Sequence, residues 1–332
     1  MTLKVNFCDF WPGFEENNLF FQILEKNFQI SIVEDPDYLF YSVYGNKHLA
    51  YHNCIKILYT GENLIPDFNL CDYALGFHYM NFGDRYLRFP LFAYYQWYYK
   101  EFSIIELFNN SKIKILEEDL NKRKFCNFIY SNNVNSDPLR DKFFHELCKY
   151  KKVDSGGRHL NNLNMAVEHK LEFIKEYKFT IAFENSSVPG YTTEKLIEPI
   201  LMRSLPIYYG NPLVHLDFKT EAFLRVKDIG DFNRVIEEII TLDKNDSLYL
   251  EKLNMAKFNV DNNLYDWEKK FLFFMNNIFS QPLSSAKRRV NYGFAKYHFE
   301  ELNLQAELLE IRRRKNNFKA KVKTILKKFQ KI

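Results

Sequence analysis

Short apolar runs alternate along this chain with segments of helical period, the pattern of parallel α/β units. Leu3 to Phe10 alternates as a strand, Glu16 to Asn27 carries Leu19, Phe20, Ile23 and Leu24 at helical spacing, and Phe28 to Val33 returns to strand. Tyr38 to Val43 and Ile55 to Tyr59 are two further apolar runs bounded by turn formers. Together they predict a Rossmann-like unit ending near residue 120, with aromatic-rich Phe92 to Tyr99 inside it and polar Asn109 to Lys124 as a linker. A second unit opens with the strand Phe125 to Tyr130 and the loop Ser131 to Asp137. Pro138 then stands at the first position of a helix running to about Lys149. Val153 to Arg158 reads as a loop, and Ile229–Thr241, Asp246–Ala256 and Leu264–Phe279 read as helices.

Between them lies the most informative stretch, FTIAFENSSVPGYTTEKLIEPILMRSLPIYYGNP, from Phe179 to Pro212. Phe179 to Phe183 suits a buried strand, a Gly/Pro-bearing loop runs from Glu184 to Tyr191, and Thr192 or Thr193 caps a helix with Glu194 in its first turn. Pro199 falls inside that helix, where its ring crowds the Lys195 carbonyl and invites a kink. Leu205 to Tyr209 is the returning strand. A strand–loop–helix–strand unit sets the loop at the carboxyl end of a parallel strand, where helix N–H groups meet anions. Lys195 adds a full positive charge, so the stretch reads as a site for a phosphate-bearing ligand.

FENS, YTTEK and PIYYG in this order closely resemble the donor-binding signature of the α-1,3-fucosyltransferases, whose usual form is FENS…GYVTEK…PIYWG. YTGENLIPDFNLCDYALGF (Tyr59–Phe77) and FGDRYLRFP (Phe82–Pro90) extend the resemblance to the bacterial members, over about residues 55 to 280. It implies an α/β, GT-B type fold: two Rossmann-like domains facing a central cleft. The N-terminal acceptor domain would cover 1–120 and the GDP-fucose-binding domain 121–285, followed by a helical extension at 286–332. It also implies an inverting, metal-independent transfer of L-fucose from GDP-fucose to an acceptor oligosaccharide, at O3 of N-acetylglucosamine in a surface glycan.

Inversion needs a base that takes the acceptor proton and a positive environment for the departing phosphate. Glu62, in Thr60-Gly61-Glu62-Asn63, matches the family's TGEN, whose Glu is its proposed base; by position alone it would be a solvated turn carboxylate. His78 is the fallback base. Lys195 and Arg158, the latter after Gly156-Gly157, are assigned to the leaving group, with a surface ion pair as the other reading of Arg158. The motif match assigns Asn185, Tyr191 and Glu194 to the nucleotide sugar. Arg85 and Arg88 fit either the site or ion pairs.

Metal chemistry finds little support: Asp35-Pro36-Asp37 is formally a DxD, but a turn explains it, and the eight histidines lack ligand spacing. Ser186-Ser187 has no neighbouring His to make a nucleophile. Five scattered cysteines without a CxxC read as buried thiols of a reducing cytoplasm. No run of 18 apolar residues exists, and MTLKVNFCDFWPGF lacks a signal-peptide pattern. The net charge of +4 hides an asymmetry, because Ile311 to Ile332 holds ten Lys or Arg and no acid, leaving the preceding residues at −6. Within that tail Phe318, Val322, Ile325, Leu326, Phe329 and Ile332 share one helical face. A basic amphipathic helix suits an anionic membrane surface, here the inner face of the cell membrane, and docking on the acidic body is the alternative. Nucleic-acid binding is not expected, since the aromatic-rich segments carry few cations. Rival readings are a same-fold transferase with another nucleotide sugar and an inactive glycan- or membrane-binding homologue.

Overall fold

The computed structural model describes residues 2–14, 18–99, 120, 122–131, 134–165, 167–259, 264–290 and 292–329. The chain divides into two compact units. The first comprises Met1–Tyr59, Pro66–Ala74 and Ile278–Ile332, and the second Thr60–Ile65 with Leu75–Asn277.

In the first unit, strands β1 (Leu3–Cys8), β2 (Ile30–Ile32), β3 (Tyr38–Tyr41) and β4 (Ile55–Tyr59) lie in the order β2-β1-β3-β4, with β1 parallel to β2 and β3, and β3 parallel to β4. Helix α1 (Leu19–Asn27) joins β1 to β2. Its first turn is capped by Asn18, whose side chain accepts the Phe21 N–H at 2.9 Å, and Leu19, Phe20, Ile23 and Leu24 are its buried face. That periodic stripe made the helix legible. β5 (Tyr73–Gly76) follows β4 in the sheet order; its last two residues belong to the second unit, as does β6 (Tyr86–Arg88).

The C-terminal segment is part of the first unit. Asp72 is fully buried, and its carboxylate accepts the backbone N–H groups of Lys56, Arg288 and Arg289 and the Arg289 guanidinium, all at 2.7 to 2.8 Å. A buried carboxylate is stable only when so satisfied, so Asp72 fixes the chain at 288–289 onto β4. Phe279 packs edge-on against Phe28 and Tyr38.

In the second unit, β7 (Lys124–Phe128), β8 (Val153–Ser155), β9 (Tyr177–Phe183), β10 (Leu205–Tyr209) and β11 (Leu224–Arg225) form a parallel sheet ordered β11-β10-β9-β7-β8. Helices α2 (Leu91–Tyr98), α3 (Leu139–Cys148), α4 (Lys170–Lys175), α5 (Glu194–Leu201), α6 (Phe232–Lys244) and α7 (Asp246–Asn254) lie between and after the strands, and α8 (Leu264–Phe279) passes from this unit into the first. Phe128, Phe143, Val153, Phe179, Phe183, Leu205, Ile207, Val235 and Ile239 form the centre of its core. All seven residues of β9 are buried, as a strand covered on both faces requires.

Two sequence expectations need correction here. Val153–Ser155, read as loop, is the edge strand β8, three residues being too few to show a period. Helix α5 has eight residues rather than three turns, and it runs through Pro199 to Leu201 before the chain leaves at Met202. Most of Asn109–Lys124, the expected linker, lies outside the described residues. After the short α9 (Leu283–Ala286), α10 (Phe294–Phe329) is a single helix with Leu304, Leu308, Ile311 and Phe318 exposed. The expected apolar face beyond Phe318 lies outside the described side chains. No described helix is long and apolar enough to cross a membrane.

Candidate functional site

The order of the second sheet reverses direction between β7 and β9, and crevices at such reversals, outside the carboxyl ends of the strands, are where open α/β sheets bind ligands. β9 ends there at Phe183, and the next residue, Glu184, is fully buried. Its carboxylate accepts the Thr193 backbone N–H at 2.7 Å and the Thr193 hydroxyl at 2.6 Å. Thr193 in turn caps α5, its hydroxyl accepting the Lys195 N–H at 3.3 Å. The strand end therefore grips the helix cap, and the free N–H groups of α5 are held at the sheet's carboxyl edge.

Lys195 sits among carboxylates, its ammonium 3.0 Å from Glu194 Oε1 and 3.7 Å from Glu184 Oε2. Burial pushes Glu184 up to about 7 against the pull of Lys195. Burial acts the same way on Glu194, but the charges of Lys195 and Lys170 outweigh it and bring Glu194 down to about 2. Burial would lower Lys195; Glu194 and Glu184 override it and hold the ammonium well above its ordinary value. The trio thus holds one secure cation, one secure anion and one carboxyl raised toward neutrality. One helical turn on, buried Glu198 pairs with Lys170 and accepts the Tyr99 hydroxyl at 2.8 Å.

A second tie closes the loop. The Asn211 side chain accepts the N–H groups of Gly190 and Leu213, each at 2.8 Å, and donates to the Thr192 hydroxyl at 3.1 Å; its own N–H donates to the Tyr208 hydroxyl at 3.0 Å. Gly190 has φ +89°, and a Cβ there would lie 2.3 Å from the Phe77 carbonyl oxygen, so only glycine fits. Tyr191, buried, rests its ring on Phe77 with centroids 5.0 Å apart.

Most of the candidates lie at this edge. Glu194 and Lys195 open α5, Tyr191 lines the loop before it, and the Asn185 carbonyl accepts the Asp137 N–H at 2.8 Å, joining the loops after β7 and β9. Asp137 also accepts the Tyr209 hydroxyl and, through its other oxygen, the Leu139 N–H at 2.9 Å, so it caps the helix that Pro138 begins. Arg158 follows β8 at the same edge, exposed, with no hydrogen bond or ion pair among the described residues. Gly157 before it is pressed onto Tyr130, where a Cβ would meet the carbonyl oxygen at 2.0 Å.

Glu62 belongs to the second unit. It sits in a turn closed by its own N–H to the Thr60 hydroxyl at 3.1 Å and by the Leu64 N–H to its carbonyl at 2.7 Å. The adjacent Asn63 donates to the Ser186 hydroxyl at 2.9 Å, across 123 residues of chain. The negative charge of Glu62 is also felt by the Tyr191 phenol, after burial and the nearer Glu184 and Lys195. TGEN and FENS, far apart in sequence, are thus brought together. His78 stacks on Phe77 at 3.9 Å, its Nδ1 is buried without a hydrogen-bond partner among the described residues, and burial lowers its pKa.

Arg88 resolves toward the ion pair: it forks onto Asp217 at 2.6 and 3.0 Å beneath Tyr79, which donates to the same carboxylate at 2.8 Å. Arg85 lies over the Phe82 ring at 5.1 Å. In Asp35-Pro36-Asp37, the Asp37 backbone bonds Lys4 and Ile55, and no group of three or more His, Cys, Asp or Glu side chains placed to hold a metal occurs among the described residues. All five cysteines are free thiols. Sequence reasoning passed over Glu184, Asn211 and Tyr208. Each is a polar group inside the stretch Phe179–Pro212 already recognised, and the signal for Glu184 was a carboxylate directly after a largely apolar strand.

Residues 5–95 match the model of the alpha-(1,3)-fucosyltransferase FucT N-terminal domain. Residues 120–287 match that of the glycosyltransferase family 10 (fucosyltransferase) C-terminal region, about half of the chain. Alpha-(1,3)-fucosyltransferase FucT of Helicobacter pylori is 32% identical over 320 residues, which is 86% of this chain and 65% of that protein. A putative fucosyltransferase, R654, of Acanthamoeba polyphaga mimivirus is 30% identical over 172 residues, 48% of this chain and 28% of the other. The chain thus spans less than two thirds of these curated relatives. A crystal structure of an alpha1,3-fucosyltransferase is 30% identical, with 88% of this chain and 93% of that one covered at a TM-score of 0.71. Two parallel-sheet α/β units and this likeness bear out the GT-B type fold that the motifs implied. The chain belongs to glycosyltransferase family 10, the fucosyltransferases.

Proposed function

We propose that the protein transfers L-fucose from GDP-fucose to a hydroxyl of an acceptor glycan with inversion and without a metal, at O3 of an N-acetylglucosamine unit in a surface polysaccharide or lipopolysaccharide. The observation that carries this reading is the meeting of the Glu62 turn and the donor loop through Asn63 and Ser186. A solved alpha1,3-fucosyltransferase with GDP-fucose is 30% identical, with 91% of that chain covered and a TM-score of 0.66, which supports the same donor here.

In this reading Glu62 takes the proton of the acceptor hydroxyl as its oxygen attacks the anomeric carbon. The bond from that carbon to the β-phosphate oxygen breaks on the opposite face, and its electron pair leaves with GDP. Lys195, Arg158 and the α5 N–H groups meet that growing charge, an interaction that strengthens toward the transition state. Asn185, Tyr191 and Glu194 hold the nucleotide sugar. The basic tail, residues 311–332, keeps the enzyme on the anionic inner face of the cell membrane, beside lipid-linked acceptors.

Competitive calorimetry tests the donor assignment. GDP and GDP-fucose are expected to bind tightly to the wild type and at least about tenfold more weakly to Lys195→Ala, the loss of one charge-assisted contact. Preference for a uridine nucleotide would instead support a same-fold transferase with another donor.

A further inference from the structure

A second charged cavity lies in the first unit, among residues not assigned to transfer. It has a volume of about 260 Å³, and its lining includes Lys287, Arg289, Lys296, Val290, Phe299 and Glu300. Lys287, Arg289 and Lys296 give it three cations; Arg289 is paired with the buried Asp72 at 2.8 Å, and Lys296 lies 3.7 Å from Glu300. Arg289 is held in place from behind by Asp72 and the Cys54 carbonyl.

The independent observation is Lys56. It lies on β4, is fully buried, and its ammonium has no hydrogen-bond partner among the described residues. That ammonium stands 5.6 Å from the ring of Phe299, one wall of the cavity. Burial, and then the like charge of Arg289, lower Lys56 to about 8, so it is still protonated at neutral pH. Asp72 pairs with Arg289 at 2.8 Å, while the Lys56 ammonium keeps no hydrogen-bond partner among the described residues, and a buried ammonium left so is costly.

We propose that this cavity binds the phosphate group of a ligand, with Lys56, Lys287, Arg289 and Lys296 supplying its counter-charge and Val290 and Phe299 an adjoining apolar surface. A diphosphate-sized anion fits the volume, and four cations less the carboxylates of Asp72 and Glu300 leave a net +2, which suits a doubly charged phosphate. Phosphate of this kind comes either from a soluble di- or polyphosphate or from a phospholipid headgroup. The cavity's position at the foot of α10, whose later turns carry the run Arg312-Arg313-Arg314-Lys315, makes both sources accessible.

The test uses the full chain saturated with GDP, so that only binding outside the donor site is read. Pyrophosphate is titrated by calorimetry, and phosphatidic acid vesicles are tested by flotation against phosphatidylcholine vesicles. The variants are Lys296→Ala, at an exposed position, and Lys56→Met, which keeps the apolar stem. Pyrophosphate binding that weakens about tenfold in both variants supports a soluble ligand. Vesicle binding that both variants lose, with pyrophosphate too weak to measure, supports a headgroup; since Lys56 is remote from the basic tail in sequence, its effect separates the cavity from the tail. Wild-type behaviour of both variants toward both probes overturns the proposal, as does the absence of binding to either probe.

Discussion

Glu184 governs the charge balance of the donor loop from a position where no ligand need touch it. Its carboxyl titrates near 7 because burial favours the neutral acid over the pull of Lys195. Its folded value exceeds its ordinary 4.5, so the stability it contributes is present below that value and is lost as pH rises through about 7. The same ionisation brings a second anion next to Lys195, so GDP affinity is expected to fall as pH rises from about 6 to 8. Glu184→Gln, which cannot ionise, should flatten that dependence; calorimetry across this range checks it, and an unchanged slope would assign the titration to another group. Glu194 has the opposite sign. Held near 2, it contributes stability above pH 4.5 that is lost as pH falls toward 2. For Glu62→Gln the expectation is a kcat lower by about 10² to 10⁴, typical of a lost general base, with KM for GDP-fucose nearly unchanged. A full-activity variant would remove Glu62 from the mechanism and turn attention to His78. Lys56→Met bears on stability as well: an ammonium depressed from 10.5 to about 8 costs roughly 3 kcal/mol at neutral pH. The variant should therefore melt higher than the wild type in the absence of phosphate.

At the scale of elements, the donor loop is held by side chains from three strand ends, and Asn211 alone makes three of those ties. Asn211→Ala removes three side-chain hydrogen bonds and leaves the Gly190 and Leu213 N–H groups unpaired. The orphaned Gly190 N–H is buried and costs about 1 to 3 kcal/mol, the half-buried Leu213 N–H less, so a lower melting temperature and a higher KM for the donor are expected together. Gly190→Ala should have the same outcome by another route, strain at φ +89° and collision with the Phe77 carbonyl. Melting curves and donor kinetics on the two variants check this. The elements legible in the sequence were those with a long period or a cap: α1 through its apolar stripe, β9 through its largely apolar run, α5 through Thr193 and Glu194. β5, β6, β8 and β11 escaped because they are short and lack the longer apolar runs that marked the equally short β2 and β3. Within the site, Lys195 and Glu194 could be read from the motif. The grip of Glu184 on Thr193 could not, since it depends on how closely a strand end approaches a helix cap.

At the scale of the whole molecule, both sheets share one plan, in which the third strand in sequence returns to pair in parallel with the first. Asp72 explains why the C-terminal segment belongs to the first unit: it binds Arg288 and Arg289 while also accepting the Lys56 N–H of β4. Sequence patterning gave no hint of that long-range carboxylate, although it did mark the basic run that follows. Removing Ile311 to Ile332 takes away ten cations and is expected to release the protein from anionic vesicles while sparing transfer to soluble acceptors. Loss of both activities together would point to a tail that supports the fold. The most direct test of the central claim is transfer itself: purified protein, GDP-fucose labelled in the sugar, and a panel of galactose- and N-acetylglucosamine-containing acceptors, with EDTA present. The account predicts labelled fucose on an N-acetylglucosamine-containing acceptor at an undiminished rate in EDTA. Tight GDP binding with no transfer to any acceptor of the panel would contradict the acceptor assignment, and failure to bind GDP or transfer fucose at all would contradict the account as a whole.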